Sequence, residues 1–508
     1  MAGRAPGRLL GSRRVTVKWV FALDEVQFSP SEDNKPGASD YYVSPYMDPA
    51  HASPSGSMTG GWLRDAPAVV PVVPAGQDWE LANYQNEIAM LQGYGFDGYE
   101  LCIQSFDTTP SQQYRRMLKM IAAAKAARFM ICLLPDFTAG WASTITPASF
   151  AAKMQPLLTA TAGLMPTTPS GVPIMTSFRG EVKDTTWWTQ ALTALAGQGT
   201  PVAWHPCFLD PSNARAYDGL AYGNGLWAER SPKASTGVAH VQTDAAAAGK
   251  PWAQMVSIMD TRPDQAVAAE SCGPGNLIVT AAQANTAEMV RIIINDFSEN
   301  TYCVPSRKSG ASWMQILQPY IAAWKGLPAP AMDEAYVIHR IHRSSFIPTA
   351  YTKHMSLKAG SDPFTDLVYV LTRLAAPGTI NGIPVPAGEQ VTTFALPTSG
   401  SFTATVTRPG LSDLVVSSAQ PVQQAPVVQD LNYYAACAVA PSETPAQAIA
   451  RLTQQVTYLQ GRITALTAQV TFDANYDAEQ QATITSLTDQ LTHLQAAVTA
   501  AIATLETP

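Results

Sequence analysis

Short apolar runs alternate along most of the chain with stretches whose apolar residues recur every three or four positions. Residues 15–23, 95–103, 129–136, 172–178, 200–208 and 252–257 are runs of strand length, and 218–222 is strand-like. Between them, 79–92, 114–128, 149–162, 186–197 and 236–248 carry helical spacing, as does 285–290, and 312–325 is an amphipathic helix. Ile292, Ile293 and Ile294 form a last run that predicts a strand buried on both faces. The count before Gly326 is about eight strands, the number that closes a parallel (β/α)8 barrel of TIM type. Residues 29–76, rich in Ser, Pro, Gly, Asp and Tyr, read as an excursion over its surface.

Beyond the Pro-Ala-Pro at 328–330 the rhythm changes. Residues 335–343, 366–373, 389–395, 400–407 and 413–417 are short strands separated by Pro and Gly turns with no helix between them, the pattern of a β-sandwich. From Ile449 the apolar residues step by three and four through Leu452, Val456, Leu459, Ile463, Leu466 and Val470, and the frame resumes from Ile484 to Leu505. Such a seam predicts a coiled coil. Asp473, Asp477 and Gln480 occupy the seam between the two blocks, as a polar layer or as the turn of a helical hairpin. An unbroken helix there spans roughly 90 Å and needs a partner chain, so a homo-oligomer, dimer or trimer, is expected through 446–508; the alternative folds the helices back on the sandwich. The expected organisation is a flexible 1–14, a catalytic barrel at 15–330, an accessory sandwich at 331–420, a linker at 421–445 and a stalk at 446–508.

Composition narrows the partners. Only 14% of residues are charged, the net charge is −7, and no basic cluster interleaves with aromatics, which excludes nucleic acid and an anionic membrane surface and favours a neutral ligand. The 11 Trp and 18 Tyr are suited to stacking on sugar rings, although most aromatics in a barrel fill its core. Six scattered cysteines without C-x-x-C spacing predict neither a zinc site nor a disulfide scaffold, so no metal and no cofactor are expected. The basic N-terminal segment lacks an uninterrupted signal-length apolar run, and no run of about 18 apolar residues occurs, so neither a secretion signal nor a membrane span is expected.

The stretch from Arg291 to Tyr302 carries the candidate chemistry, because its apolar run ends in two carboxylates, Asp296 and Glu299. Active sites of parallel barrels form at the C-terminal ends of strands, and a carboxylate pair there suits acid–base cleavage of a glycosidic bond. The competing reading makes Asp296 or Ser298 a helix cap and Glu299 a solvated acid. Asp136 ends another apolar run as a sugar-hydroxyl ligand or a support for the pair. Trp204 and His205 either line the cleft or belong to the core.

Several stretches carry a family likeness through their shared order: Lys18-Trp-Val-Phe-Ala22, Gly95-Phe-Asp-Gly-Tyr99, residues 129–136, Thr176-Ser-Phe-Arg-Gly180, Ile294-Asn-Asp-Phe-Ser-Glu-Asn-Thr-Tyr302, Ile316-Leu-Gln-Pro-Tyr-Ile321 and Tyr336 to His342. Over about residues 15–415 they resemble glycoside hydrolase family 71, the α-1,3-glucanases or mutanases. The resemblance implies an inverting enzyme whose two catalytic acids fall on Asp296 and Glu299, with Glu299 as acid and Asp296 as base. Substrate-binding candidates are Asp136, Trp204, His205, Tyr302 and Asp97. The sequence departs from the family where Leu23-Asp-Glu-Val-Gln27 replaces its His and Met-Val-Gly, where Ile294 and Phe297 replace tryptophans, and at Arg179. Asp24 and Glu25 either replace lost polar contacts or are surface acids.

The expected protein is a glycoside hydrolase of a neutral polysaccharide; the alternative is a carbohydrate-binding, receptor-binding fibre protein without turnover. A stalk without a secretion signal fits a phage tail fibre or tailspike, with other virion tail proteins as partners. Extracellular export by a non-classical route is the alternative location.

Overall fold

The structure, a computed structural model, describes residues 18–30, 63–68, 76–106, 112–227, 235–262, 267–268, 286–327, 332–345, 356–357, 365–424 and 430–441, together with helical residues at 453, 456–457, 460, 463–464, 485–496 and 499. Eight parallel strands build the first unit: β1 (Trp19–Glu25), β2 (Gly98–Ile103), β3 (Met130–Pro135), β4 (Ile174–Phe178), β5 (Ala203–Phe208), β6 (Asn224–Leu226), β7 (Trp252–Val256) and β8 (Met289–Ile293). Their order is β3-β2-β1-β8-β7-β6-β5-β4, so β1 and β8 join the first strand to the last. The remaining seam, between β3 and β4, is drawn together by a single parallel bridge, Asp136 to Phe178, and by the Phe137 N–H donating to the Phe178 carbonyl at 3.0 Å. This is a nearly closed TIM-type barrel.

Helices α1 (Trp79–Gly93), α2 (Gln112–Ala127), α3 (Pro147–Ala160), α4 (Thr185–Gly197), α5 (Ser235–Ala248) and α6 (Ser312–Lys325) surround it. Their starts are set by local chemistry: the side chains of Asp78, Thr146 and Asp184 accept from the N–H groups of Leu81, Ser149 and Trp187. Lys325 ends α6 before Gly326 in the left-handed conformation.

Alternation along the strands divides inside from outside. Val20, Ala22, Tyr99, Leu101, Trp204, Val290 and Ile292 face the helices in the main core. The barrel interior is layered. Phe21, Cys132, Ala253 and Met289 fill its base, and Leu23, Cys102, Leu134, Cys207, Trp227, Met255 and Ile293, with Phe178, fill its upper part. Between the two lies a polar layer in which Arg291 Nε meets Glu100 Oε1 at 3.3 Å, both side chains being buried. Arg291 Nη2 also reaches His205 Nδ1 at 3.2 Å. A guanidinium only donates, so Nδ1 accepts and His205 is neutral; burial first, and the Arg291 charge second, press its pKa down to about 3.

This layer explains why the sequence pattern misplaces β6. The strand-like segment expected near 218–222 is turn and coil, and the strand is Asn224–Leu226 instead. A Cβ on Gly225 would lie 3.1 Å from Arg291 Nη1, and one on Gly223 2.6 Å from the His205 ring. The glycines that hide the strand from a propensity reading make room for the polar layer. The helix expected at 285–290 is also corrected: Met289 and Val290 pair with Trp19 and Val20 in β8. Edge-to-edge pairing with β1 outweighs the local helical spacing; residue 285 lies outside the described residues.

The second unit is two antiparallel four-stranded sheets. One runs Gly388–Ala395, Leu367–Leu374, Met332–Arg340, Tyr433–Pro441, and the other Ile383–Val385, Gly378–Ile380, Thr403–Thr407, Leu414–Ser417. Val337, Val368, Val370, Ile380, Val406 and Val416 form the core between them. Residues 433–441, expected inside a linker, are the strand that pairs with Met332–Arg340 over its whole length. Their Ala-rich composition suits a sheet face pressed against the barrel, where Tyr433 and Ala435 join the main core. The described residues between 453 and 499 are helical, but most of the predicted seam, with its polar layer, lies outside the described residues, and a coiled coil is not shown. Among the described residues no helix is long and apolar enough to cross a membrane.

Candidate active site

Beyond β8 the chain makes a tight hairpin, Asn295–Asp296 pairing with Thr301–Tyr302, and the two predicted carboxylates sit on it. No helix follows directly, so the helix-cap reading of Asp296 does not hold. Asp296 Oδ1 instead organises the turn, accepting from Ser298 Oγ at 2.7 Å and from the Glu299 N–H at 3.2 Å. Asn300 closes it in the left-handed conformation, φ 52°, a backbone region that asparagine tolerates better than most residues. Its side chain accepts from the Arg64 N–H at 3.0 Å and donates to the Thr261 carbonyl at 3.0 Å.

Glu299 is oriented from the neighbouring loop. Arg262 Nη2 lies 2.7 Å from Glu299 Oε2, while the same guanidinium grips Asp260 with Nε and Nη2, each at 2.8 Å. Burial works against the Arg262 charge, and the hydrogen bonds and charge of Asp260, then of Glu299 and Asp296, outweigh it and raise its pKa.

Glu25 and Asp136 complete the carboxyl group. Glu25 ends β1 on the same side as Leu23, in register with Cys102 of β2, so its side chain faces the barrel mouth. Its N–H donates to Asn295 Oδ1 at 2.8 Å, and its Oε2 accepts from Gln104 Nε2 at 3.0 Å. Burial raises its pKa well above the carboxylate range, and the charges of Asp296, Asp136 and Glu299 push the same way. Asp136, next after β3, is 4% exposed and accepts from the Thr138 N–H and Oγ1 at 2.7 and 2.6 Å. Burial raises its pKa against these bonds and against Arg179.

Beneath these groups the ring centroids of Phe178 and Trp227 lie 4.1 Å apart at the top of the barrel interior. Trp227, Gln104 and Arg262 fall in none of the motifs, and Phe178 enters only as part of the Thr176-to-Gly180 stretch, without a role. Continuing the inward alternation of each strand to and just past its C-terminal end is the signal that finds Phe178 and, two residues after the interior Cys102, Gln104.

Three of the predicted binding residues, Asp97, Trp204 and His205, lie away from the mouth, and a fourth, Tyr302, belongs to the hairpin but has its ring buried. Asp97 precedes β2, at the opposite end of the barrel, where it accepts from the Val20 N–H at 2.7 Å and pairs with Lys325 Nζ at 2.7 Å. Trp204 faces the helices, stacked on Trp188 at 4.0 Å with its Nε1 donating to Ser177 Oγ at 2.9 Å. His205 belongs to the interior polar layer with Arg291. Tyr302 is wholly buried under the hairpin, stacked on Phe297 at 4.5 Å, and its hydroxyl donates to Asp65 at 2.6 Å. Asp65 also accepts from the Lys308 N–H, and Lys308 Nζ reaches Asp430 at 3.2 Å and Tyr434 at 3.1 Å, which ties the hairpin to the sandwich. Among the described residues no three His, Cys, Asp or Glu are grouped to hold a metal ion.

No family model matches the chain, and no curated protein matches it in sequence. Solved structures to which the chain is similar include the GH99 endo-α-mannosidase from Bacteroides thetaiotaomicron, 10% identical over 61% of this chain and 98% of that one, with a TM-score of 0.46. An Anoxybacillus α-amylase is 7% identical over 84% of this chain and 98% of that one, TM-score 0.37. The cyclic α-maltosyl-(1→6)-maltose hydrolase from Arthrobacter globiformis is 11% identical over 74% of this chain and 98% of that one, TM-score 0.33.

Proposed function

We propose that this protein is a glycoside hydrolase that cleaves a neutral, α-1,3-glucan-like polysaccharide with inversion, using Asp296 and Glu299. The observation that carries the reading is their placement: two oriented carboxylates on a hairpin beyond the last strand, at the C-terminal mouth of a TIM-type barrel, above an aromatic floor. In this reading Asp296 takes a proton from water as the water oxygen attacks the anomeric carbon. Glu299 gives a proton to the departing glycosidic oxygen as its bond to that carbon breaks. With Arg262 at 2.7 Å Glu299 rests as a carboxylate, so the acid role requires that pair to loosen when a glycan enters. The acidic mouth repels anionic glycans, which supports a neutral substrate.

The order of motifs that resembles family 71 supports the same chemistry. Purified protein incubated with defined glucans and bacterial surface polysaccharides is expected to release reducing ends from an α-1,3-linked glucan, with the first product in the inverted anomeric form by NMR. A retained anomer would replace the inverting mechanism, and no release from any member of the panel would remove the hydrolase reading in favour of a binding protein. We further propose that the chain assembles through 446–508 as part of a phage tail fibre or tailspike, and light scattering on the full chain is expected to give the mass of a dimer or trimer. A monomer at micromolar concentration would overturn that assembly.

A further inference from the structure

Asp260, Arg262 and Glu299 are joined through one nitrogen. Asp260 is buried and holds the guanidinium with both of its oxygens, Nε on Oδ1 and Nη2 on Oδ2, each at 2.8 Å. The same Nη2 lies 2.7 Å from Glu299 Oε2. Two oxygens that close to one nitrogen are no more than about 5.5 Å from each other, so the two carboxyls act on one another directly as well as through Arg262. The backbone beside them is fixed from two sides. Thr261–Arg262 pairs antiparallel with Val267–Ala268, which pairs in parallel with Ser356–Leu357, a stretch lying in the chain between two strands of the second unit. On the other side the Thr261 N–H donates to the Glu299 carbonyl at 2.7 Å, and Asn300 Nδ2 donates to the Thr261 carbonyl at 3.0 Å. Arg262 is therefore kept beside Glu299 by its own backbone and not by Asp260 alone.

The two holds on Arg262 are unequal. Asp260 makes two bonds from a buried position, and Glu299 makes one from a side chain that is 27% exposed. When Glu299 takes up a proton, the cation keeps a buried partner bound at two points. With no charge at 260, the same step would leave a half-buried guanidinium without that partner, at a cost in desolvation. We propose that Asp260 is a positioning residue for Glu299: it keeps the charge of Arg262 divided between two carboxylates, so that Glu299 can give up its single bond and hold the proton that an acid must donate. The acid role rests on the glycosidase reading above, whereas the influence of Asp260 on the ionisation of Glu299 does not depend on any activity. The charged and titratable groups around Glu299 are Arg262 and Asp260 from beyond β7, Asp296 from its own hairpin and Glu25 from the end of β1, with Asp136 close to Glu25. Glu25, Asp136 and Asp296 are common to all the variants below, so differences among them report Asp260 and Arg262.

Carbon-13 NMR of the full chain, labelled at the glutamate side-chain carboxyl, follows Glu299 without any substrate. Its signal is the one lost in Glu299→Gln. The titration midpoint of that signal is expected to fall by about one pH unit in Asp260→Asn, because a negative charge within about 5.5 Å is removed while Arg262 stays. In Arg262→Met it is expected to rise by about one unit or more, because the cation is removed instead. Asp260→Glu keeps the charge and should lie closer to wild type than Asp260→Asn. Asp260→Ser removes the charge and leaves room for water, and gives the same comparison where asparagine at 260 does not fold. A midpoint that stays in place or rises when the charge at 260 is removed overturns the proposal, as does a fall in Asp260→Glu equal to that in Asp260→Asn. With the glycan identified by the polysaccharide panel, the high-pH limb of kcat/KM is expected to move down in Asp260→Asn and up in Arg262→Met. A purely structural role for Asp260 would lower the rate at every pH and leave that limb in place, and this result overturns the positioning role even where the NMR titration behaves as expected. If the wild type cleaves no glycan, the hydrolase reading fails by itself and the titration still decides whether Asp260 governs Glu299.

Discussion

Asp296→Asn and Glu299→Gln are each expected to lower hydrolysis of the glycan that the wild type cleaves by about 10²- to 10⁴-fold, the usual contribution of a positioned acid or base. Both substitutions preserve shape. An asparagine Oδ1 can still accept from Ser298 Oγ and from the Glu299 N–H, so the hairpin keeps its turn. A glutamine at 299 can still accept from Arg262, which remains gripped by Asp260. A loss of rate with an unchanged thermal midpoint is therefore chemical. The two variants should also differ from each other. A glycosyl fluoride has a leaving group that needs no protonation, so Glu299→Gln is expected to recover most of its rate on that substrate while Asp296→Asn does not. Recovery by Asp296→Asn instead would exchange the acid and base, and wild-type rates from both variants would sink the assignment.

Where sequence and structure agree, burial enforces the pattern. The runs at 129–136 and 172–178 are apolar because both faces of β3 and β4 are buried, and α3 and α4 carry a helical stripe because one face meets those strands. Asp296 and Glu299 were legible for the same reason: polarity returns abruptly where the Ile292–Ile294 run leaves the barrel. Register was less legible. A shift of one residue reverses every side chain in a strand, and that decides why Trp204 faces Trp188 while its neighbour His205 faces Arg291. Direction matters equally, since Asp97 lies before its strand and Asp136 after it, at opposite ends of the barrel. Glu25 was visible as an acid at the end of the first strand, but its environment is made by Gln104, Asp136 and Asp296, residues 79 to 271 positions away, which local pattern cannot express.

The interior polar layer gives the largest expected loss of stability. Arg291→Met should destabilise the protein by about 3–5 kcal/mol in urea or guanidinium unfolding, the cost of removing one partner from a buried ion pair. Methionine approximates the length of arginine, so the loss comes chiefly from Glu100, which is 0% exposed and has Arg291 as its charged partner. Burial raises the Glu100 pKa, and the Arg291 charge is the largest influence restraining it. Without Arg291 the folded chain keeps Glu100 protonated, whereas the unfolded chain releases that proton above about pH 4.3. The folded state then binds more protons, and the penalty must grow as the pH rises from there towards neutrality. His205 works in the opposite sense. Its pKa of about 3 beside Arg291 means that the unfolded state takes up a proton first on acidification, so its contribution weakens as pH falls below 6.5; removing Arg291 relieves part of that loss. Both effects make Arg291→Met least harmful at acid pH. The double variant Arg291→Met with Glu100→Met replaces the pair by apolar side chains in an interior whose layers above and below are already apolar, and should recover most of the stability. A double variant no more stable than the single one would show that Arg291 acts through packing against Gly225 and His205 rather than as the partner of Glu100.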